Sequence, residues 1–135
     1  MHGLFREIVV IAWLALMGTL ASLWLNPHKP QPFWEGEVSL SQVEAWKTSV
    51  IWIDARVSTE YDQGHIPGAL LLNEDKWNEL LGPVIMASNG KTPLVVYCDA
   101  HCNASLSVAQ RLKKTGLDPV YLLKGGWESW KRAHP

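Results

Sequence analysis

The stretch Leu94-Val95-Val96-Tyr97-Cys98-Asp99-Ala100-His101-Cys102-Asn103-Ala104-Ser105 decides the fold of this chain. Its apolar start, with no polar residue alternating, predicts a strand buried on both faces, the habit of a parallel sheet. Leu106 to Leu112 then reads as the beginning of a helix. A thiol at Cys98, between a strand end and a helix N-terminus, faces convergent backbone N–H groups and the positive end of a helix dipole. That setting favours the thiolate, which is the nucleophilic form of cysteine.

On both sides of this stretch, helix and strand signals alternate. Ser39 or Ser41 caps a short helix reaching Lys47, with Leu40, Val43 and Trp46 on one face. Val50 to Ile53 predicts a strand ending at Asp54, and Ser58-Thr59-Glu60-Tyr61 one helical turn. Gly64-His65-Ile66-Pro67-Gly68-Ala69 is a turn-rich connector into a strand at Leu70-Leu71-Leu72. Asn73 begins a helix with Trp77, Leu80 and Leu81, in which Gly82-Pro83 marks an interruption. Gly116 stops the helix after Cys98, Val120 to Leu123 gives a last strand, and Gly125-Gly126 leads into a terminal helix with Trp127 and Trp130. Such alternation predicts an α/β domain whose mostly parallel sheet is covered on both faces. Ligands of such sheets bind beyond the carboxyl ends of the strands, where Cys98 stands.

The chain has 135 residues, enough for one domain with a real core. Its 12 basic and 13 acidic residues are interspersed, which leaves no electrostatic footprint for nucleic acid. After a tail at residues 1–7, residues 8–25 carry no charge. As a helix they would span roughly 27 Å, enough for a single transmembrane anchor in a thin bilayer. Arg6 precedes the run, Trp24 sits at an interfacial position, and Asn26-Pro27 ends it. The alternative is a cleaved signal peptide, with Thr19 and Ala21 before a cut at Ser22. Residues 26–38 form a linker containing three prolines, and residues 39–135 the domain. Arg6 and the α-amino group against Lys29 tilt the orientation toward an extracytoplasmic domain, periplasmic in a bacterium.

Four motifs together resemble the rhodanese family: Ile53-Asp54-Ala55-Arg56; Glu60-Tyr61 with Gly64-His65-Ile66-Pro67-Gly68-Ala69; Val95-Val96-Tyr97-Cys98; and Val120-Tyr121-Leu122-Leu123-Lys124-Gly125-Gly126-Trp127. Their order and spacing cover about Leu40 to Arg132. The resemblance implies a five-stranded parallel sheet flanked by helices, and a sulfurtransferase that needs no cofactor or metal. Cys98 would take sulfur from a small sulfane-sulfur donor, hold it as a persulfide and pass it to a thiol or other nucleophilic acceptor. Asp99, Ala100, His101, Cys102 and Asn103 would cradle the sulfur with N–H groups, and Ala104-Ser105 would open the helix behind it. Asp54 and Arg56 would support the site through an ion pair, and His65 would brace the connector.

The loop departs from that family in two respects. Many active members carry arginine five residues after the cysteine and glycine three after it, where this chain has Asn103 and His101. Without that arginine, an anionic donor such as thiosulfate loses a fixed cation; a polysulfide or small-molecule persulfide is the other donor class. Cys102 is the second departure. It is either a small loop-filling residue or a resolving thiol able to attack a persulfide or sulfenic acid on Cys98. Zinc on His101, Cys98 and Cys102 lacks the usual paired spacing and a fourth ligand. Phosphoryl transfer would want an arginine six positions after the cysteine, where Ala104 stands. Two further classes stay open: a thiol–disulfide redox protein using Cys98 and Cys102, and a non-catalytic module that docks a partner through the same loop.

Overall fold

Five short strands run the same way in one sheet: β1 (Glu37–Val38), β2 (Ile51–Asp54), β3 (Leu70–Leu71), β4 (Leu94–Tyr97) and β5 (Val120–Leu123). They lie in the order β1-β5-β4-β2-β3, every pairing parallel. The structure is a computed structural model that describes residues 36–135. The tail, the anchor expected at residues 8–25 and most of the linker lie outside the described residues. Among the described residues, no helix is long and apolar enough to cross a membrane.

The central strand β4 is inaccessible to solvent along its whole length. Successive side chains of a strand point to opposite faces, so an unbroken apolar run fills two cores. Leu94 and Val96 join Ile53, Leu72 and Leu122 on one face. There they meet α3 (Trp77–Ala87) through Trp77 and Val84, and α4 (Ala104–Lys114) through Val108, Ala109 and Leu112. Val95 and Tyr97 face the other way, among Val38, Ile66 and Leu123. That side is covered by Leu40 and Val43 of α1 (Leu40–Ala45) and by Trp127 and Trp130 of α5 (Gly126–Ala133). The remaining helix, α2 (Ser58–Gln63), buries none of its residues.

Three expectations change in detail. Of the two candidate caps, Ser39 is the one used: its hydroxyl accepts from the N–H of Gln42, whose side chain accepts from the N–H of Ser39. Glu37–Val38, read as linker, supplies the fifth strand. The N–H of Leu122 donates to Gly36 O and that of Lys124 to Val38 O, at 2.9 and 2.8 Å. Pro83 does not interrupt its helix; α3 continues through it to Ala87. Pro83 costs one i→i−4 hydrogen bond, but it sits on the solvent side, and the fully buried Val84 beside it pins the helix to the core.

Leu112→Ala removes a fully buried side chain between α4 and the sheet and is expected to cost about 3 kcal/mol. Met86→Ala, at a position that is 81% exposed, should stay within about 0.5 kcal/mol. Urea unfolding midpoints of the two variants check the assignment of the core.

Candidate active site

Cys98 follows directly on β4, and its side chain is 2% exposed. Neighbouring β2 ends level with it: Asp54 pairs with Tyr97, and the N–H of Ala55 donates to Tyr97 O at 2.9 Å. The carboxylate of Asp54, wholly buried, is held by Arg56, itself only 6% exposed. Arg56 Nη2 donates to Asp54 Oδ2 at 2.6 Å, and Nε to Oδ1 at 3.0 Å, while the Arg56 backbone N–H donates to the same Oδ1. Burial works against the guanidinium's charge, but the hydrogen bonds and the field of Asp54 outweigh it and raise the Arg56 pKa further. The Arg56 guanidinium therefore keeps its charge beside Asp54.

Arg56 then spreads outward. Its Nη2 also donates to Gly64 O at 2.8 Å, its guanidinium lies 5.0 Å from the Trp127 ring centroid, and Nη1 reaches to 4.0 Å from Asp99 Oδ1. Tyr97 OH accepts from the N–H of Ile66 at 3.1 Å, fixing the connector from below. Burial, the largest cause, raises the Tyr97 phenol far above its ordinary pKa, so it stays protonated. His65 stacks on Tyr61 with ring centroids 3.7 Å apart and meets Tyr61 O at 2.8 Å through Nδ1. Tyr61 OH donates to Ala69 O at 2.7 Å. Asp54 and Arg56 thus stand against the cysteine loop, whereas His65 ties the connector back to Tyr61 of α2.

The start of α5 closes the site from the other side. The N–H of Trp127 donates to Cys98 O at 2.8 Å. Gly126 has φ +52°, and a Cβ there would overlap the Cys98 carbonyl oxygen. Glycine is the residue that allows both the left-handed backbone and this approach. Two residues after Gly126, Glu128 Oε2 accepts from the N–H of Ala100 at 2.9 Å. Glu128, bound to the loop, and Lys131, over the Trp127 ring, escape sequence reading, because their placement depends on how α5 docks.

Within the loop, Cys98 and Cys102 are joined as a disulfide, with Cα atoms 6.3 Å apart. Cys98 Sγ lies 3.4 Å from Ser105 Oγ, 3.4 Å from Asp99 O and 3.3 Å from Cys102 O. The N–H of Cys102 donates to Asp99 O at 3.2 Å. In this oxidised state the N–H groups of Ala100 and Cys102 are therefore turned to other acceptors, and carbonyl oxygens flank the sulfur. Asn103 occupies the cap position of α4 without a side-chain capping bond, and His101 is exposed. A cleft of about 380 Å³ beside the loop is lined by Arg56, Glu60, Gly64, Asp99, Glu128 and Lys131, among others. Among the described residues, no three His, Cys, Asp or Glu side chains gather as a metal centre would require.

Comparison with known proteins agrees with this architecture. The model of the rhodanese-like domain matches residues 39–133. The chain belongs to the rhodanese-like family. Over 100 residues it is 37% identical to the thiosulfate sulfurtransferase GlpE of Coxiella burnetii, covering 71% of this chain and 89% of that protein. Among solved structures, it is similar to the rhodanese-like domain of the Alr3790 protein from Anabaena, with TM-score 0.58 and 22% identity over 75% of this chain and 76% of the other. It is also similar to a rhodanese-related protein from Thermoplasma volcanium, with TM-score 0.58 and 20% identity over 73% and 93%. The five-stranded parallel sheet is the fold that the four motifs implied.

Gly126→Ala is expected to destabilise the domain by about 3 kcal/mol, through the αL backbone and the overlap with Cys98 O. Gly116→Ala also loses a positive φ, but has nothing within 4 Å of the added Cβ and should cost about 1 kcal/mol. Thermal unfolding of both variants separates the backbone effect from the close approach.

Proposed function

We propose that this rhodanese-like domain is a sulfurtransferase that carries sulfane sulfur as a persulfide on Cys98. The observation that carries the reading is the placement of Cys98: at the carboxyl end of the central strand, its sulfur 3.4 Å from the Ser105 hydroxyl at the start of α4. The similarity to a thiosulfate sulfurtransferase supports the reaction class. In the reduced protein the Cys98 thiolate attacks the outer sulfur of a donor, expels the donor's leaving group and becomes a persulfide. The Ser105 hydroxyl can donate to the sulfur, and the α4 N-terminus favours negative charge there. A thiol or another nucleophile then takes the outer sulfur and regenerates the thiolate. None of these steps requires a cofactor.

The charges around the cleft bear on the donor. Arg56 is committed to Asp54 and Gly64 O, Asn103 brings no charge, and Glu60, Asp99 and Glu128 outnumber Lys131. With asparagine at position 103 and Arg56 committed, no guanidinium of the cleft is left to clamp thiosulfate, so a small-molecule persulfide or polysulfide is the better donor. A second reading, a thiol–disulfide redox protein, is favoured by the bonded Cys98–Cys102 pair. On the sequence of residues 8–25, the domain is tethered to a membrane by a single anchor, on the extracytoplasmic side.

Two measurements test these statements. Cys98→Ser should abolish sulfur gain by intact mass after exposure to any donor; sulfur retained on that variant would remove Cys98 from its role. For the wild type, kcat/KM with glutathione persulfide should exceed that with thiosulfate by about tenfold. The reverse order would show that the lack of an arginine at position 103 does not set donor choice.

A further inference from the structure

A persulfide on Cys98 has two neighbours that a persulfide carrier does not need. One is Cys102, whose sulfur reaches the Cys98 sulfur within a single loop. The other is the pair of carbonyl oxygens, Asp99 O and Cys102 O, at 3.4 and 3.3 Å from Cys98 Sγ. Carbonyl oxygens repel an anionic sulfur and tolerate a neutral one. The N–H groups of Ala100 and Cys102, which could hold an anion, are engaged by Glu128 and Asp99 O. In this shape the loop suits a neutral disulfide better than a charged persulfide. Access points the same way. No acceptor has to enter the loop from outside, because Cys102 is already in place and packs against the core beside Cys98.

We infer that Cys102 releases the sulfur carried on Cys98 as free hydrosulfide, closing the Cys98–Cys102 disulfide in the same step. The inference rests on Cys98 being the persulfide carrier, and it adds the acceptor, the product and a partner class to that reading. The Cys102 thiolate attacks Cys98 Sγ of the protonated persulfide. The bond between the two cysteine sulfurs forms, and the bond from Cys98 Sγ to the outer sulfur breaks. The outer sulfur leaves with the persulfide's proton as HS⁻. It has been reduced by two electrons, and each cysteine sulfur has given one. A dithiol reductant then supplies two electrons and two protons to reopen the loop. Its thiolate attacks the more accessible Cys102 sulfur and expels Cys98, whose thiolate the Ser105 hydroxyl can stabilise. Each turnover thus consumes one sulfane sulfur and one dithiol and yields one sulfide. The domain would work beside reactions that generate low-molecular-weight persulfides and beside a protein dithiol of the same compartment.

The test is a single turnover of the fully reduced full-length protein without oxygen or added thiol. Glutathione persulfide is the donor, and a sulfide electrode and intact mass are the readouts. Wild-type protein should release about one hydrosulfide per chain and end two hydrogens lighter, with no oxidant present to account for the loss. Cys102→Ser and Cys102→Ala should end one sulfur heavier, with sulfide release reduced by about tenfold or more. A wild-type protein that keeps the added sulfur and releases no sulfide overturns the inference and leaves the sulfurtransferase reading intact. If neither wild type nor the Cys102 variants gain or release sulfur, the persulfide reading falls and this inference falls with it.

Discussion

The buried ion pair of Asp54 and Arg56 is the constraint around which the site is arranged. A carboxylate with no solvent access must be compensated, and losing either partner of such a pair typically costs about 3–5 kcal/mol. Here compensation comes from the residue two positions on, across the end of β2. Because the guanidinium has donors left over, it also fixes Gly64 O and supports the Trp127 ring. Trp127 in turn holds the carbonyl of Cys98. One buried charge thus connects β2, the connector, α5 and the residue that follows β4. The strongest electrostatic interaction of the domain spends itself on positioning, which leaves the cleft to the more exposed Glu60, Asp99, Glu128 and Lys131.

If Cys98 carries a persulfide as proposed, the loop has two demands that conflict. A persulfide anion wants N–H donors, whereas the bonded Cys98–Cys102 state places carbonyl oxygens near the sulfur and commits donors elsewhere. On that reading the loop would have to change its hydrogen bonding between the two states. The contacts that do not depend on the Cys98 sulfur, namely the Trp127 bond and the Gly126 approach to the Cys98 carbonyl, hold the rest of the residue still while it does so.

Much of this was legible in the chain. The unbroken apolar run of β4, the turn chemistry of residues 64–69 and the double glycine before α5 each fix a local conformation, and their order carries the fold. What escaped was set by packing. Two residues, Glu37 and Val38, are too few to show a period, and they are strand only because β5 offers an open edge. Pro83 breaks a local rule that one buried neighbour, Val84, overrides. Glu128 binds the loop across 28 positions of sequence, and no spacing rule reaches that far. Asp54 and Arg56 were readable because their interaction is local; what Arg56 does beyond Asp54 was not.

The place of β1 has a mechanical consequence. The described chain enters the domain at a sheet edge, through a strand of two residues laid on β5, while the thiol hangs from the middle strand with a neighbour on each flank. Tension applied ahead of residue 36 loads those two ladder pairs first. They can peel away and leave β5, β4 and β2 joined, so the edge strand acts as a fuse between whatever pulls on the chain and the geometry around Cys98.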